Sequence, residues 1–126
     1  MLVKGKTATV TATVTDKNTA KAVGSGNLDV FATPMMIALM EQAACECLAD
    51  SLEPGQSSVG TQINIAHTAA SPLNVKINAT ATIENIDGRK ISFAVTAHDE
   101  ANEIGSGTHE RFLIDTERFM KKLEQR

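Results

Sequence analysis

Four stretches of the chain alternate between apolar and polar residues. In the first, residues 7–15, Thr occupies the odd positions up to Thr15 and Ala or Val the even ones. The other three cover residues 59–67, 75–84 and 91–97. A period of two is typical of strands with one buried face. A fifth strand is predicted from Glu103 to Ile114, where Gly105 and Gly107 indicate a bulge or a close approach of backbones.

Residues 33–49 follow a different pattern, because every residue from Met35 to Met40 is apolar. Thr33 is a good N-cap and Pro34 suits the first helical position, so a helix should begin here and stop before Pro54. A helix opening without a polar face is normally enclosed by other elements. The pattern therefore predicts an α+β fold in which an antiparallel sheet wraps around one central helix.

The connections between these elements also have recognisable patterns. Asp87-Gly88 is the strongest short signal of a β-hairpin, so the third and fourth strands should pair antiparallel. Asp99 to Asn102 forms a further turn before the last strand. Residues 16–27 have little periodicity and predict a surface connection, whereas the tail from Thr116 predicts a short, accessory amphipathic helix.

Length and composition narrow the class of protein. The 126 residues fit a single domain, residues 1–126, and 12 Lys and Arg scattered among 15 Asp and Glu offer no basic stripe to nucleic acid. No apolar run approaches the ~20 residues that cross a bilayer, and the start does not resemble a signal peptide, so we expect no membrane partner and a cytoplasmic location. The cysteine spacing and the motifs present indicate neither a metal site nor a cofactor.

Three polar residues, Thr33, Glu41 and His67, stand where the pattern asks for an apolar residue or a cap. Each has a simple alternative role: Thr33 as a helix cap, Glu41 on a solvated helix face and His67 as a hydrogen-bonded core residue. Their coincidence favours acid/base or nucleophilic chemistry, in which a carboxylate orients an imidazole or reacts itself. The strand face that ends in His67 and should pack on the helix also carries Val59, Thr61, Ile63 and Ile65.

The spacing of these residues constrains how they could work together. Thr33 and Glu41 are separated by ~12 Å along the helix axis and about 80° around it, so they cannot touch within one subunit. A shared reaction would need a substrate that spans them or a second subunit. Gly60 leaves its backbone N–H open to close approach, as an oxyanion site requires, although a strand bulge explains it equally well. Arg111 shares a face with His109 and can pair with a phosphate, with Glu41 or with solvent.

Several segments in combination resemble the fluoroacetyl-CoA thioesterase-like family. They are Val30–Pro34 with Met40-Glu41, Gly60-Thr61 with His67–Ala70, Ala97–Asp99 and Gly105–Arg111, and the resemblance covers residues 23–119. It implies a hotdog fold, whose members pair into one continuous sheet with active sites at the dimer interface. The family's catalytic Thr, Glu and His fall on Thr33, Glu41 and His67, and its glycine near the thioester carbonyl falls on Gly60.

The resemblance implies a thioesterase that hydrolyses a small acyl-CoA to the free acid and CoA without a cofactor, as a homodimer or a dimer of dimers. Glu41 would be base or nucleophile, His67 an acid/base or orienting partner, Thr33 a positioning or attacking group, and Arg111 part of substrate binding. Gly24–Leu28 has no aromatic residue to cover a small acyl group, so we expect no selection of fluorinated substrates. Two alternatives stay open: an enoyl-thioester hydratase or dehydratase, and a non-catalytic acyl-CoA or carrier-protein binding module.

Overall fold

A computed structural model describes all 126 residues. The elements are β1 (Thr7–Thr13), α1 (Ala20–Val23), α2 (Thr33–Ala49), β2 (Gln56–His67), β3 (Lys76–Asp87), β4 (Lys90–His98), β5 (Glu103–Asp115) and α3 (Thr116–Glu124). The five strands form one antiparallel sheet in the order β1-β3-β4-β5-β2, and α2 packs on its inner face. The predicted α+β fold, with a sheet wrapped around a central helix, is confirmed.

Small side chains line the contact between α2 and the sheet. Ala43 and Ala44 are fully buried on the helix, and Ala79 and Ala81 are fully buried on β3. Because alanine adds little bulk, the helix backbone can lie close to the sheet while larger residues such as Phe93 fill the remaining core. The buried residues of α2 are Met36, Leu39, Met40, Ala43, Ala44, Cys47 and Leu48.

The β3–β4 hairpin has a two-residue turn, Gly88-Arg89, between the paired residues Asp87 and Lys90. Gly88 has a φ of 61°, which glycine adopts without strain. A second turn precedes β5, where the amide N–H groups of Ala101 and Asn102 donate to Asp99. These two bonds lower the pKa of Asp99. Both predicted turns are therefore confirmed.

Residues 16–27 contain a short helix that the periodicity did not predict. The Thr19 hydroxyl accepts a hydrogen bond from the Ala22 N–H at 3.1 Å, and Gly24 closes the helix in the left-handed region with a φ of 82°. The prediction of a connection without regular structure was wrong for α1, because a single turn is too short to show a 3.6-residue period.

A bulge in β2 changes which residues face the helix. The register against β5 shifts between Gly60 and Gln62, because Gly60 pairs with Arg111 while Gln62 pairs with Glu110. Thr61 is the extra residue and is exposed, so the prediction that Val59 and Thr61 share a face with Ile63, Ile65 and His67 was wrong. The shift instead places Gly60 on that inner face.

The two glycines of β5 mark a close approach of backbones, one of the two readings of their pattern. A Cβ on Gly105 would lie 2.6 Å from Met36 Cε and 2.8 Å from the carbonyl oxygen of Ala66. A Cβ on Gly107 would collide with the carbonyl oxygen of Asn64. Side chains at these positions would therefore push β2 or α2 away from β5.

Part of the apolar surface remains uncovered in a single chain. Strand β2 lies at the edge of the sheet, and Ile63 on it is 40% exposed. Ala38 of α2 is exposed and Ile37 is half-buried. The helix opening was predicted to be enclosed, and in the single chain it is enclosed only in part.

At the end of the described chain, α3 is the predicted amphipathic helix, and its N-terminus is capped by Asp115. None of the helices has the length and apolar character needed to cross a bilayer.

Candidate active site

Glu41 projects from α2 toward two basic side chains of β5. Its Oε2 lies 3.5 Å from Nη1 of Arg111 and 4.0 Å from Nε2 of His109. The side chain of Glu41 is 41% exposed, whereas those of Arg111 and His109 are 9% and 1% exposed. Of the three possibilities for Arg111, pairing with Glu41 is present within the chain. The carboxylate has one side against a buried cation and the other toward solvent.

Arg111 is held in place by β2. Its Nε donates to Ser58 Oγ at 2.8 Å, and its Nη2 donates to the Ser58 carbonyl oxygen at 3.1 Å. These bonds fix the plane of the guanidinium and leave Nη1 directed at Glu41. The charge beside the carboxylate is consequently in a defined position.

His109 also belongs to this site. The strand pattern predicted that it shares a face with Arg111 but indicated no role for it. Its Nδ1 lies 2.8 Å from the Gln62 carbonyl oxygen, which can only accept, so Nδ1 carries the proton. Nε2 can then accept from Arg111 Nη1 at 3.2 Å only if the imidazole is neutral. Burial lowers the pKa of His109, and the Arg111 charge acts in the same direction, against the bond to Gln62. His109 thus links the bulge in β2 to the cation of the site.

Gly60 completes this group of residues. A Cβ there would lie 2.9 Å from Glu41 Oε2, 3.3 Å from His109 Cε1 and 3.4 Å from Arg111 Nη1. The lack of a side chain allows the backbone at the bulge to approach the carboxylate. The bulge, one of the two readings of Gly60, is therefore present, and the missing Cβ leaves space for Glu41 Oε2.

Gly60→Ala is expected to fold with little loss of stability but to lower any activity that depends on the Glu41 carboxylate at least ~10-fold. The added methyl group meets the end of the flexible Glu41 side chain, which can rotate away. The rotation would displace the Glu41 carboxylate from Arg111. Turnover and thermal unfolding would be measured together. Gly107→Ala is the contrasting variant, because its methyl group meets backbone and should destabilise the fold. A fully active Gly60→Ala protein would contradict this account.

Thr33 and His67 form a second polar pair at the start of α2. Thr33 Oγ1 lies 2.7 Å from His67 Nδ1. The N-cap of the helix is Ala32, which has no side-chain cap, so the prediction that Thr33 is the N-cap was wrong. The hydroxyl bonds the imidazole instead of a first-turn N–H. Nε2 of His67 is buried and has no hydrogen-bond partner within the chain, so its hydrogen-bonding capacity is unused.

An open cavity of about 300 Å³ lies against this pair. The rest of its lining comes from the segment before α2 and the segment after β2 and contains both apolar and polar side chains. Its lining residues are Ala20, Ser25, Val30, Phe31, Thr33, His67, Thr68, Ala69 and Ala70. The cavity thus has the size of a pocket for a small group and offers that group both apolar and polar contacts.

The two groups of residues are far apart within one chain. Gly60 and His67 are seven residues apart on β2, a separation of ~20 Å at the usual strand rise. Glu41 contacts Arg111 and His109, while His67 contacts Thr33, so the structure does not bring Glu41 and His67 together in a single chain. No three His, Cys, Asp or Glu side chains lie together as a potential metal site.

An antiparallel sheet wrapped around a central helix is the arrangement of a hotdog-fold protein. The fold is shared by a thioesterase superfamily member of Thermus thermophilus, which is 24% identical with a TM-score of 0.88 and covers 98% of this chain and 93% of its own. A solved structure of the fluoroacetyl-CoA thioesterase FlK is 38% identical with a TM-score of 0.94, over 100% of this chain and 98% of that one.

Residues 14–117 match the family described as fluoroacetyl-CoA-specific thioesterase (FlK). The fluoroacetyl-CoA thioesterase of Streptantibioticus cattleyicolor is 47% identical over 98 residues, which are 78% of this chain and 70% of that protein. The chain belongs to the FlK family, and it is an enzyme that hydrolyses acyl-CoA thioesters. The predicted resemblance, fold and activity are confirmed, and the hydratase and binding-module alternatives are not favoured.

Proposed function

We propose that the protein hydrolyses CoA thioesters of short acyl groups at a site completed by two subunits. The observation that carries this proposal is the division of the polar groups described above. Thr33 and His67 lie beside a cavity, whereas Glu41, Arg111 and Gly60 lie near the other end of β2. Neither group alone combines an acyl pocket with a carboxylate.

Pairing of two β2 strands would unite the groups. The strand is at the sheet edge, so its outer backbone groups have no partner strand, and Ile63 on it is partly exposed. An antiparallel pairing about a two-fold axis at Asn64 would set His67 opposite the partner subunit's Gly60-Thr61 bulge. A thioester bound there would meet Thr33 and His67 from one subunit and Glu41 from the other.

In this arrangement Glu41 removes a proton from water, and the water oxygen attacks the thioester carbonyl carbon. The Gly60 N–H polarises the carbonyl oxygen as negative charge develops on it. When the carbon–sulfur bond breaks, the electron pair leaves with sulfur, and the proton returns to the thiolate of CoA. Thr33 and His67 position the acyl group, and Arg111 holds the carboxylate of Glu41. Direct attack by Glu41, through an anhydride that water then hydrolyses, uses the same geometry.

The size of the cavity supports a short acyl group. Its volume of about 300 Å³ is at the lower limit of ligand pockets, and its apolar walls include Val30 and Phe31. The segment from Gly24 to Leu28 contributes no aromatic side chain that could enclose two or three atoms tightly. We therefore propose that short-chain acyl-CoA is accepted without strong preference for fluoroacetyl-CoA, the substrate named for the family.

A panel of acyl-CoA substrates followed by thiol release tests this proposal. Acetyl-, fluoroacetyl-, propionyl-, butyryl- and octanoyl-CoA would be compared, and we expect the highest kcat/KM among the short unfluorinated and fluorinated chains, within ~10-fold of one another. Crotonyl-CoA serves as the control for hydration of an enoyl thioester. A preference for fluoroacetyl-CoA far above tenfold would contradict the proposed specificity, and hydration without thiol release would contradict the hydrolysis.

A further inference from the structure

A second cavity, of about 360 Å³, lies between α3 and the β3–β4 turn. Four basic residues line it, Arg89 from the turn and Arg118, Lys121 and Lys122 from α3. They are a third of the 12 Lys and Arg in a chain whose formal net charge is −3. The function described so far uses none of them.

The charges in this cavity are not neutralised by the protein. None of the four basic side chains takes part in an ion pair. The one acidic residue in the lining, Asp115, accepts a hydrogen bond from the Arg118 backbone N–H as the cap of α3. Four cations that converge on one concave surface create a positive potential that attracts multiply charged anions.

The cavity is at the same end of the sheet as Glu41 and Arg111 but on its outer face, because Ile114 in the lining alternates with the inward-facing Arg111 and Leu113. Ile91, two residues after Arg89, pairs with Arg111, and the Leu113 N–H bonds the Arg89 carbonyl oxygen at 2.9 Å. Asp115 follows Arg111 by four residues, a distance of ~13 Å along β5. A long flexible ligand with one end near Glu41 would therefore reach the basic side chains by passing around this end of the sheet.

We propose that this cavity binds the phosphate groups at the nucleotide end of CoA. The proposal rests on the hydrolysis of acyl-CoA, whose pantetheine arm joins the thioester to a diphosphate and a 3′-phosphate. A phosphate monoester carries about −1.5 to −2 charge near pH 7. Arginine matches phosphate oxygens with paired N–H donors and lysine adds a point charge, so two residues of each kind suit two phosphate positions.

Comparison of acyl-CoA with S-acyl-pantetheine, which lacks all the phosphates, isolates this contact. In the full-length Lys121→Glu/Lys122→Glu protein, we expect the KM for acyl-CoA to rise at least ~10-fold, as the loss of charge-assisted hydrogen bonds predicts. The KM for S-acyl-pantetheine should stay that of the wild type. Adenosine 3′,5′-bisphosphate should compete with acyl-CoA in the wild type and much less in the variant.

Two further variants make the result decisive. Lys17→Glu/Lys76→Glu changes the net charge equally on exposed residues at the opposite end of the sheet and should leave both KM values unchanged. Arg89→Gln tests the cavity from its other wall and does not depend on the folding of α3. Its KM for acyl-CoA should also rise.

Three outcomes would overturn the proposal: an unchanged KM for acyl-CoA in the cavity variants, an equal rise for both substrates, or an equal rise in the Lys17/Lys76 control. A defect confined to an acyl carrier protein substrate would assign the cavity to a protein partner instead. Failure of the wild type to release thiol from either substrate would be a different result, because it would contradict the hydrolytic function itself.

Discussion

Glu41→Gln is expected to lower the turnover of acyl-CoA hydrolysis by at least ~10²-fold while the protein stays folded. The amide keeps the shape of the side chain but removes its charge and its ability to take a proton. The side chain is partly exposed, so the substitution opens no space in the core. Arg111 would lose its counter-charge but keep both bonds to Ser58, which should hold β2 and β5 together.

The measurement is kcat by thiol release, with circular dichroism and thermal unfolding to verify the fold. Glu46→Gln is the matched control, because Glu46 lies on the same helix, is exposed and forms no ion pair. It should have the turnover of the wild type. If folded Glu41→Gln also kept full turnover, Glu41 would be a structural partner of Arg111 and would have no part in the chemistry.

Activity is expected to return when Glu41→Gln and His67→Ala chains are combined in one dimer. If Glu41 of one subunit works with His67 of the other, the hybrid has one site with both substitutions and one site with neither. Each homodimer should be nearly inactive, and a purified hybrid should recover about half of the wild-type turnover, one intact site of two. Co-expression with two different affinity tags would supply the hybrid.

The alternative arrangement gives a different result. If Glu41 and His67 served one site within a chain, each site of the hybrid would carry one substitution, and activity would not return.

A chain that carries both substitutions should be little worse than the more damaged single variant, because groups that act in one step are not additive. Sedimentation that showed a fully active monomer would rule out the shared site altogether.

Most of the fold followed from local pattern because its elements are regular. The alternating Thr and Ala or Val of β1, the apolar start of α2 and the Asp87-Gly88 turn each signal one structure over a short range. The bulge in β2 did not follow, because one extra residue reverses the phase of the alternation and leaves no separate signal in composition. The pattern had therefore assigned Val59 and Thr61 to the wrong face.

The candidate site could be predicted as a set of residues but not as a set of contacts. Thr33 fitted an N-cap by its position, yet its hydroxyl bonds His67, which is 34 residues away in the chain. Arg111 was left with three possible partners, and only the strand register brings it to Glu41. Such choices depend on long-range pairing, which the local pattern does not contain.

The alanines between α2 and β3 set the height of the helix above the sheet. Glu41 extends from that helix, so its 3.5 Å separation from Arg111 depends on Ala43, Ala44, Ala79 and Ala81 as much as on the two charged residues. A bulkier residue in this layer would move α2, and Glu41 with it, away from the sheet. A shift of about 1 Å can cost ~10²-fold in rate even when it arises far from the reacting atoms. Selection for activity would then act on side chains that never meet the substrate, and the scarcity of aromatic residues in this chain would be a requirement of catalytic alignment as well as of packing.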